Sequence, residues 1–176
     1  MEDVRRGAVN RLAVLFERHH RALYHYFHRL TNDRAQSEDL VQDVFFRILR
    51  SRETYQLRSS FTAWMYQVAR NAYIDGVRKR KNEADWGEDR PEPPSEAAGA
   101  DEVMWREQEI GLLRKALAAL PERQREVLVL SRFQNLKYEE IGQILGCEVG
   151  AVKLRVFRAV RALGQIYAEM AGEKAS

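Results

Sequence analysis

The side chains best suited to chemistry in the first third of the chain are four histidines, His19, His20, His25 and His28. His25 and His28 are spaced to share one face of a helix. Zinc needs three or four ligands, however, and no Cys or carboxylate joins them at ligand spacing, so they read as surface or interface residues and no metal is expected. The single cysteine, Cys147, rules out an internal disulfide and a multi-cysteine zinc site. It falls in a turn that calls for a small apolar side chain, and it has no second, resolving thiol of the kind a redox sensor uses. The sequence contains no glycine-rich phosphate loop, nucleophile elbow or pair of catalytic acids. Neither a cofactor nor catalysis is expected.

Binding chemistry is better represented. The stretch FTAWMYQVARNAYIDGVRKRK, Phe61 to Lys81, has helical spacing but not the single apolar stripe and charged face of an ordinary surface helix. At about 100° per residue, Gln67, Asn71, Ile74 and Arg78 form one outward stripe, bordered by Trp64. Tyr66, Arg70, Tyr73 and Val77 form a second beside it, while Phe61, Trp64, Met65, Val68 and Ala72 turn inward. Trp64 lies on the boundary and suits core packing and ligand contact equally. Aromatic faces, amides and cations on one rod are the groups that hold unstacked bases and their backbone.

A second candidate lies in YEEIGQILGCEVGAVKLRVFRAVRAL, Tyr138 to Leu163. The spacing predicts a short helix to Leu145, a turn at Gly146 and a longer helix, which is the helix-turn-helix layout. On the longer helix Val152, Val156, Ala159 and Leu163 face inward. Ala151, Leu154, Arg158 and Arg161 face outward, flanked by Lys153 and Phe157. Small residues at the start and guanidinium forks beyond suit a DNA major groove. A solvated amphipathic bundle helix is the alternative.

Almost every other element that must position these groups reads as helix. Leu12, Phe16, Leu23, Phe27 and Leu30 mark a first long helix; Leu40, Val41, Val44, Phe45, Ile48 and Leu49 mark a second, starting near Ser37. On the second helix Asp39, Gln42, Asp43, Phe46 and Arg50 point away from the core, and an outward Phe among polar groups invites a partner. Residues 82–102 carry three of the four prolines, and eight carboxylates against one Arg fall between Glu83 and Glu102. Such a stretch cannot continue a helix and reads as an acidic, flexible linker. Helices resume with Ile110, Leu113, Leu117 and Leu120, and Pro121 restarts the next one. The fold expected is all-α: two small helical domains on an acidic linker, the C-terminal one with a helix-turn-helix. The chain has 176 residues, is 45% hydrophobic and carries a net charge of +3. That net value hides basic clusters at Arg78–Lys81 and Lys153–Arg161, which suit a polyanion. No apolar run is long enough to cross a bilayer and the N-terminus lacks a signal-peptide pattern, so a cytoplasmic protein without membrane insertion is expected.

LPERQREVLVLSRFQNLKYEEIGQILGCEVGAVKLRVFRAVRAL closely resembles the C-terminal promoter-binding domain of bacterial sigma factors of the sigma-70 family. SEDLVQDVFFRILR and the Phe61–Lys81 stretch resemble the N-terminal domain of the same proteins. The order and compactness resemble the extracytoplasmic-function group, over roughly residues 9–81 and 103–165. The resemblance implies a promoter-specificity subunit that works with core RNA polymerase, through the largest-subunit coiled coil and the flap, and that recognises and melts promoter DNA. It implies domains at 1–81 (polymerase and minus-ten binding) and 103–176 (minus-thirty-five binding), joined by the linker at 82–102. Tyr55, Trp64, Gln67, Asn71 and Arg78 would hold the melted minus-ten strand, with Tyr55 the only aromatic of the base-pocketing loop RETYQLRSS. Ala151, Lys153, Leu154, Phe157, Arg158 and Arg161 would contact the minus-thirty-five duplex. Asp39, Gln42, Asp43 and Phe46 would dock on polymerase. An inhibitory anti-sigma factor is a further partner that the family often has.

The sequence departs from the family pattern in several places. Lys137 replaces a Ser or Thr helix cap, leaving Glu140 half of a capping box. Gly142 replaces Ala, which loosens its helix by up to about 1 kcal/mol. Ala151 and Leu154 replace Thr and Ser at the start of the recognition helix, which leaves the upstream sequence preference open. A conventional helix-turn-helix regulator would explain residues 122–165 but not the aromatic-amide helix or Phe46. A metal hydrolase built on the histidines is a weaker rival.

Overall fold

The structure is a computed structural model that describes residues 1–56, 60–84 and 101–174. The expected linker lies mostly outside the described residues, as does the Leu57–Ser59 part of the RETYQLRSS loop. The described residues contain eight α-helices and no strand: α1 (Glu2–Arg5), α2 (Arg11–Thr31), α3 (Arg34–Arg50), α4 (Phe61–Ala84), α5 (Asp101–Ala119), α6 (Glu122–Leu128), α7 (Tyr138–Leu145) and α8 (Val149–Lys174).

In the N-terminal domain α3 packs between α2 and α4. Leu23, Tyr26, Phe27 and Leu30 of α2 meet Val41, Val44, Phe45 and Ile48 of α3 and Met65, Ala69 and Ala72 of α4 in the buried core. Helix α2 stops where Asn32 turns left-handed at φ 54°, a conformation Asn tolerates better than most residues. Helix α3 then starts at once, because the Asp33 carboxylate accepts from the Gln36 backbone N–H at 3.0 Å. The start expected near Ser37 is therefore late by one turn. Ser37 is a buried residue inside the helix, and its hydroxyl donates to the Asp33 carbonyl. Phe16 also departs from its expected core position: Leu15 is buried instead and Phe16 stays at the margin, against Phe45 and His20.

In the C-terminal domain α5, α6 and α7 pack around α8. Leu117, Leu120, Val127, Leu128, Leu130, Ile141, Ile144, Val152, Val156 and Ala159 form the buried set. The inward row expected on α5 is only half right. The helix buries Leu112, Ala116 and Leu117, with Leu120 just after it, and leaves Ile110 and Leu113 exposed. Spacings of three and four fit both rows, and packing against α8 selects between them. After α6 the chain makes one π-helical turn, Val129–Phe133.

The helix-turn-helix is α7, a turn and α8. Gly146 takes φ 63° as the left-handed C-cap of α7. Glu140 accepts from the Lys137 backbone N–H at 3.1 Å, the expected half of a capping box. Gly142 has a role beyond helix propensity. A Cβ there would lie 2.7 Å from the Cys147 carbonyl oxygen, because the turn folds back closely enough for the Cys147 N–H to reach the Gly142 carbonyl at 3.0 Å.

Candidate nucleic-acid interface

On α4 the first stripe is open to solvent: Gln67, Asn71 and Arg78 are exposed and Ile74 is half-buried. Trp64 is half-buried, with its ring 5.3 Å from Tyr55 and 6.1 Å from Phe61. Tyr55 is buried in that aromatic group, edge-on to Phe61. Beside it opens a cleft of about 420 Å³ lined by Thr54, Gln56, Ala63, Trp64, Gln67 and Gln143. The structure thus places three expected strand-binding residues, Trp64, Gln67 and Asn71, along one face, with Tyr55 packed against Trp64 rather than free in the loop. Gln56 and Thr54 complete the wall of the cleft, and no periodicity marks them because they precede the helix.

The second stripe of α4 is not open. Tyr66 and Tyr73 are buried and Arg70 is half-buried, because the C-terminal domain packs on this face. The Tyr66 hydroxyl donates to Gln134 Oε1 at 2.7 Å, and Arg70 Nε lies 2.9 Å from Glu126 Oε1. Burial raises the Tyr66 hydroxyl above its ordinary range, and it pushes that of Tyr73, which lies near the Glu122 carboxylate, up to about 12. Burial likewise raises the Glu126 carboxyl, against the downward pull of Arg70. A wheel drawn for one helix cannot reveal a face covered by a distant part of the chain.

On α3, Asp39, Gln42 and Phe46 are exposed and Asp43 is partly exposed. Phe46 retains 58% of its surface, and the Arg50 guanidinium lies 5.6 Å from its ring centre. Arg47 fixes Asp43, donating to it at 2.9 Å and to Asp75 of α4 at 2.6 Å. Arg47 and Asp75 carry no signal in the sequence, because their link crosses from one helix to the next.

On α8, Lys153, Leu154, Phe157, Arg158 and Arg161 are exposed and Ala151 is half-buried, while Val152, Val156 and Ala159 face the core. Phe157 is 60% exposed, with the Arg161 guanidinium 6.0 Å from its ring centre. Val160 is exposed as well, an apolar side chain that its residue type alone would send inward.

The histidines sit in ring contacts: His20 stacks on Phe16 at 4.9 Å, His19 tilts against Phe61 at 5.3 Å, and His25 and His28 pack on Tyr24. Burial lowers the pKa of His19. Among the described residues no group of three or more His, Cys, Asp or Glu is arranged to hold a metal ion. Cys147 is half-buried and not in a disulfide. Among the described residues no helix is long and apolar enough to cross a membrane.

Residues 15–83 match the sigma-70 region 2 family and residues 110–163 match sigma-70 region 4. The RNA polymerase sigma factor CarQ of Myxococcus xanthus is 32% identical over 172 residues, 97% of each chain. The ECF RNA polymerase sigma factor SigE of Mycolicibacterium smegmatis is 32% identical over 165 residues, 92% of this chain but only 63% of that longer protein. Among solved structures, the sigma factor RpoE in complex with the anti-sigma factor NepR from Bartonella quintana aligns with a TM-score of 0.68 at 26% identity, over 88% of this chain and 94% of that one. CnrH in complex with the cytosolic domain of CnrY aligns with a TM-score of 0.73 at 21% identity, over 96% and 94%, and shares the fold.

Proposed function

The chain belongs to the extracytoplasmic-function group of the sigma-70 family, whose members direct promoter-specific transcription, and from that premise we propose that it binds core RNA polymerase, melts the minus-ten element and holds the minus-thirty-five element. The observation that carries this reading is the pairing of two differently built exposed faces in one chain. Gln67, Asn71 and Arg78 along one exposed face of α4 suit an unstacked strand, whereas Lys153, Arg158 and Arg161 on a projecting helix suit a duplex groove.

Residues 1–81 form the polymerase- and minus-ten-binding domain in this reading, and residues 103–176 the minus-thirty-five-binding domain. Asp39, Gln42, Asp43 and Phe46 dock on the largest-subunit coiled coil, while the C-terminal domain meets the flap. Asn71 reads a base, Gln67 and Trp64 line its path, and Arg78 holds backbone phosphate. Tyr55 supports the Trp64 ring. Two turns of B-DNA, about 70 Å, separate the two promoter contacts. Some 20 linker residues span roughly 65 Å when extended. The protein acts in the cytoplasm, where polymerase is, and contributes binding energy rather than catalysis. An anti-sigma factor is the natural inhibitor.

The test is reconstitution with core polymerase on a promoter defined by mapping transcript starts after overexpression. Specific initiation is expected. Asn71→Ala should reduce permanganate reactivity of the minus-ten thymines more than it slows duplex binding. A variant that melts DNA as well as the parent would remove Asn71 from the strand site, and absence of specific transcripts with the parent protein would overturn the reading.

A further inference from the structure

Helix α8 turns Val152, Val156 and Ala159 into the core of the C-terminal domain. At about 100° per residue, the direction opposite that row falls on Leu154 and Arg161, with Phe157 and Arg158 to either side. Leu154 is 48% exposed and Val160 44%, and the Phe157 ring between them is more open still. These three apolar side chains recur at intervals of three, so they form a strip that slants across the outer surface of the helix. A single exposed apolar side chain is ordinary on a protein surface. A strip of three at the centre of one face is not. Lys153, Arg155, Arg158 and Arg161 surround it, all of them exposed. That border complements phosphate, not a second apolar protein surface.

We infer that Leu154 makes this helix select a thymine: the base pair under residue 154 is A·T, with the thymine C5-methyl group against the Leu side chain. The inference rests on the promoter reading for the placement of α8 in a major groove, and it adds which base is demanded there. Every base edge in that groove carries hydrogen-bonding groups, and thymine also carries a methyl group. Leu154 neither donates nor accepts. Pressed on a guanine or adenine edge, it strips water from polar atoms and returns no hydrogen bond, which is costly. Against a thymine methyl it buries apolar surface instead.

A hydroxyl at this position would behave differently, because Ser bonds to donors and acceptors alike and tolerates any of the four pairs. Leu at 154 therefore narrows the choice. The half-buried Ala151, one turn earlier, is small enough to let the helix approach and offers no hydrogen bond that would compete. Arg158, one turn later, supplies affinity through guanine or phosphate and leaves the thymine to Leu154. Arg161 lies 6.0 Å from the Phe157 ring centre, so its charge sits beside the apolar strip and not across Leu154. Burying one methyl group changes affinity by about fourfold.

The test uses holoenzyme, the full chain with core polymerase, and promoter duplexes that span both elements, at fixed salt. Each thymine of the upstream element is replaced in turn by deoxyuridine, which removes the methyl group and keeps every hydrogen-bonding group. One replacement should weaken binding of the parent holoenzyme by about fourfold. Leu154→Ala holoenzyme should bind that duplex and the thymine duplex alike. The inference predicts this coupling between base and side chain, not merely an effect of either change alone. Uracil tolerated by the parent at every position would overturn it, as would uracil weakening Leu154→Ala as much as the parent. Should circular dichroism show Leu154→Ala unfolded, Leu154→Ser must show the same indifference for the inference to stand. A parent holoenzyme that selects no promoter would overturn the promoter reading and this inference with it, whereas uracil tolerance in a holoenzyme that initiates normally overturns the inference alone.

Discussion

At the scale of single residues, exposure sorts groups that the sequence could only nominate. Phe46 keeps more than half of its surface in a helix whose other large apolar side chains are mostly buried. A ring of that size surrounded by Asp43, Gln42 and Arg50 has the composition of an interface anchor, where truncation costs about 2 kcal/mol or more of binding. Phe46→Ala is expected to weaken the complex with core polymerase by about tenfold or more in a binding titration. Its thermal melt should match the parent's, because Leu40, Val44, Phe45 and Ile48 supply the core. A melt many degrees lower would mean that the ring is structural. The outward positions of Asp39, Gln42, Asn71, Arg158 and Arg161 are legible in the sequence, since each lies opposite a strong apolar row on its own helix. The burial of Tyr66 and Tyr73 is not, because part of what covers them comes from another domain. Trp64 lies on the angular boundary in the sequence and is half-buried in the structure.

At the scale of elements, helix type and order can be read from periodicity, and the helix-turn-helix from Gly146 and its flanking rows. Helix faces are less secure where two rows compete. Leu112 and Leu113 are adjacent, so a spacing of four can run from either, and only α8 decides. The start of α3 is set by the Asp33 cap, whereas the apolar row begins only at Leu40, so hydrophobicity alone places the start too late. Gly142 illustrates how element and turn interact. Helix propensity favours Ala there by up to about 1 kcal/mol. The Cys147 carbonyl lies where the new Cβ would go, and forcing the turn outward costs about 1–3 kcal/mol. Gly142→Ala is therefore expected to lower the melting temperature and weaken promoter binding together, through displacement of α8. Thermal melts and promoter titrations check this, and a raised melting temperature would show that propensity wins.

For the whole molecule, the buried Glu126 makes stability depend on protons. Burial raises the Glu126 carboxyl in the folded chain, so folding favours the protonated acid. The groups facing it are Arg70 of α4, Arg155 of α8, Glu122 of its own helix, and Tyr26, whose hydroxyl stays neutral because burial raises it too. The sign follows by linkage: Glu126 stabilises the fold fully below the ordinary carboxylate range, and that contribution is lost as pH rises through its raised value. Acidification from neutral toward mildly acidic pH should therefore strengthen its contribution to the melting temperature. Glu126→Gln, a mimic of the protonated acid, should flatten that response. An equally steep response in Glu126→Gln would assign the proton to another group. Nothing in composition or spacing foretells this, since Glu126 reads as an ordinary surface acid on a short helix.

The Arg70–Glu126 pair also bears on how such chains can recombine. If the two halves met only polymerase and DNA, an α5–α8 unit could be exchanged between relatives freely, each half retaining its own specificity. A junction that matches Arg70 with Glu126 and Ser60 with Glu140 imposes a compatibility rule on the exchange. A graft carrying a basic residue at the Glu126 position would yield a hybrid with like charges facing each other across the junction. Inheritance of the two halves as a matched set then becomes a heritable constraint, separate from the promoter each half reads.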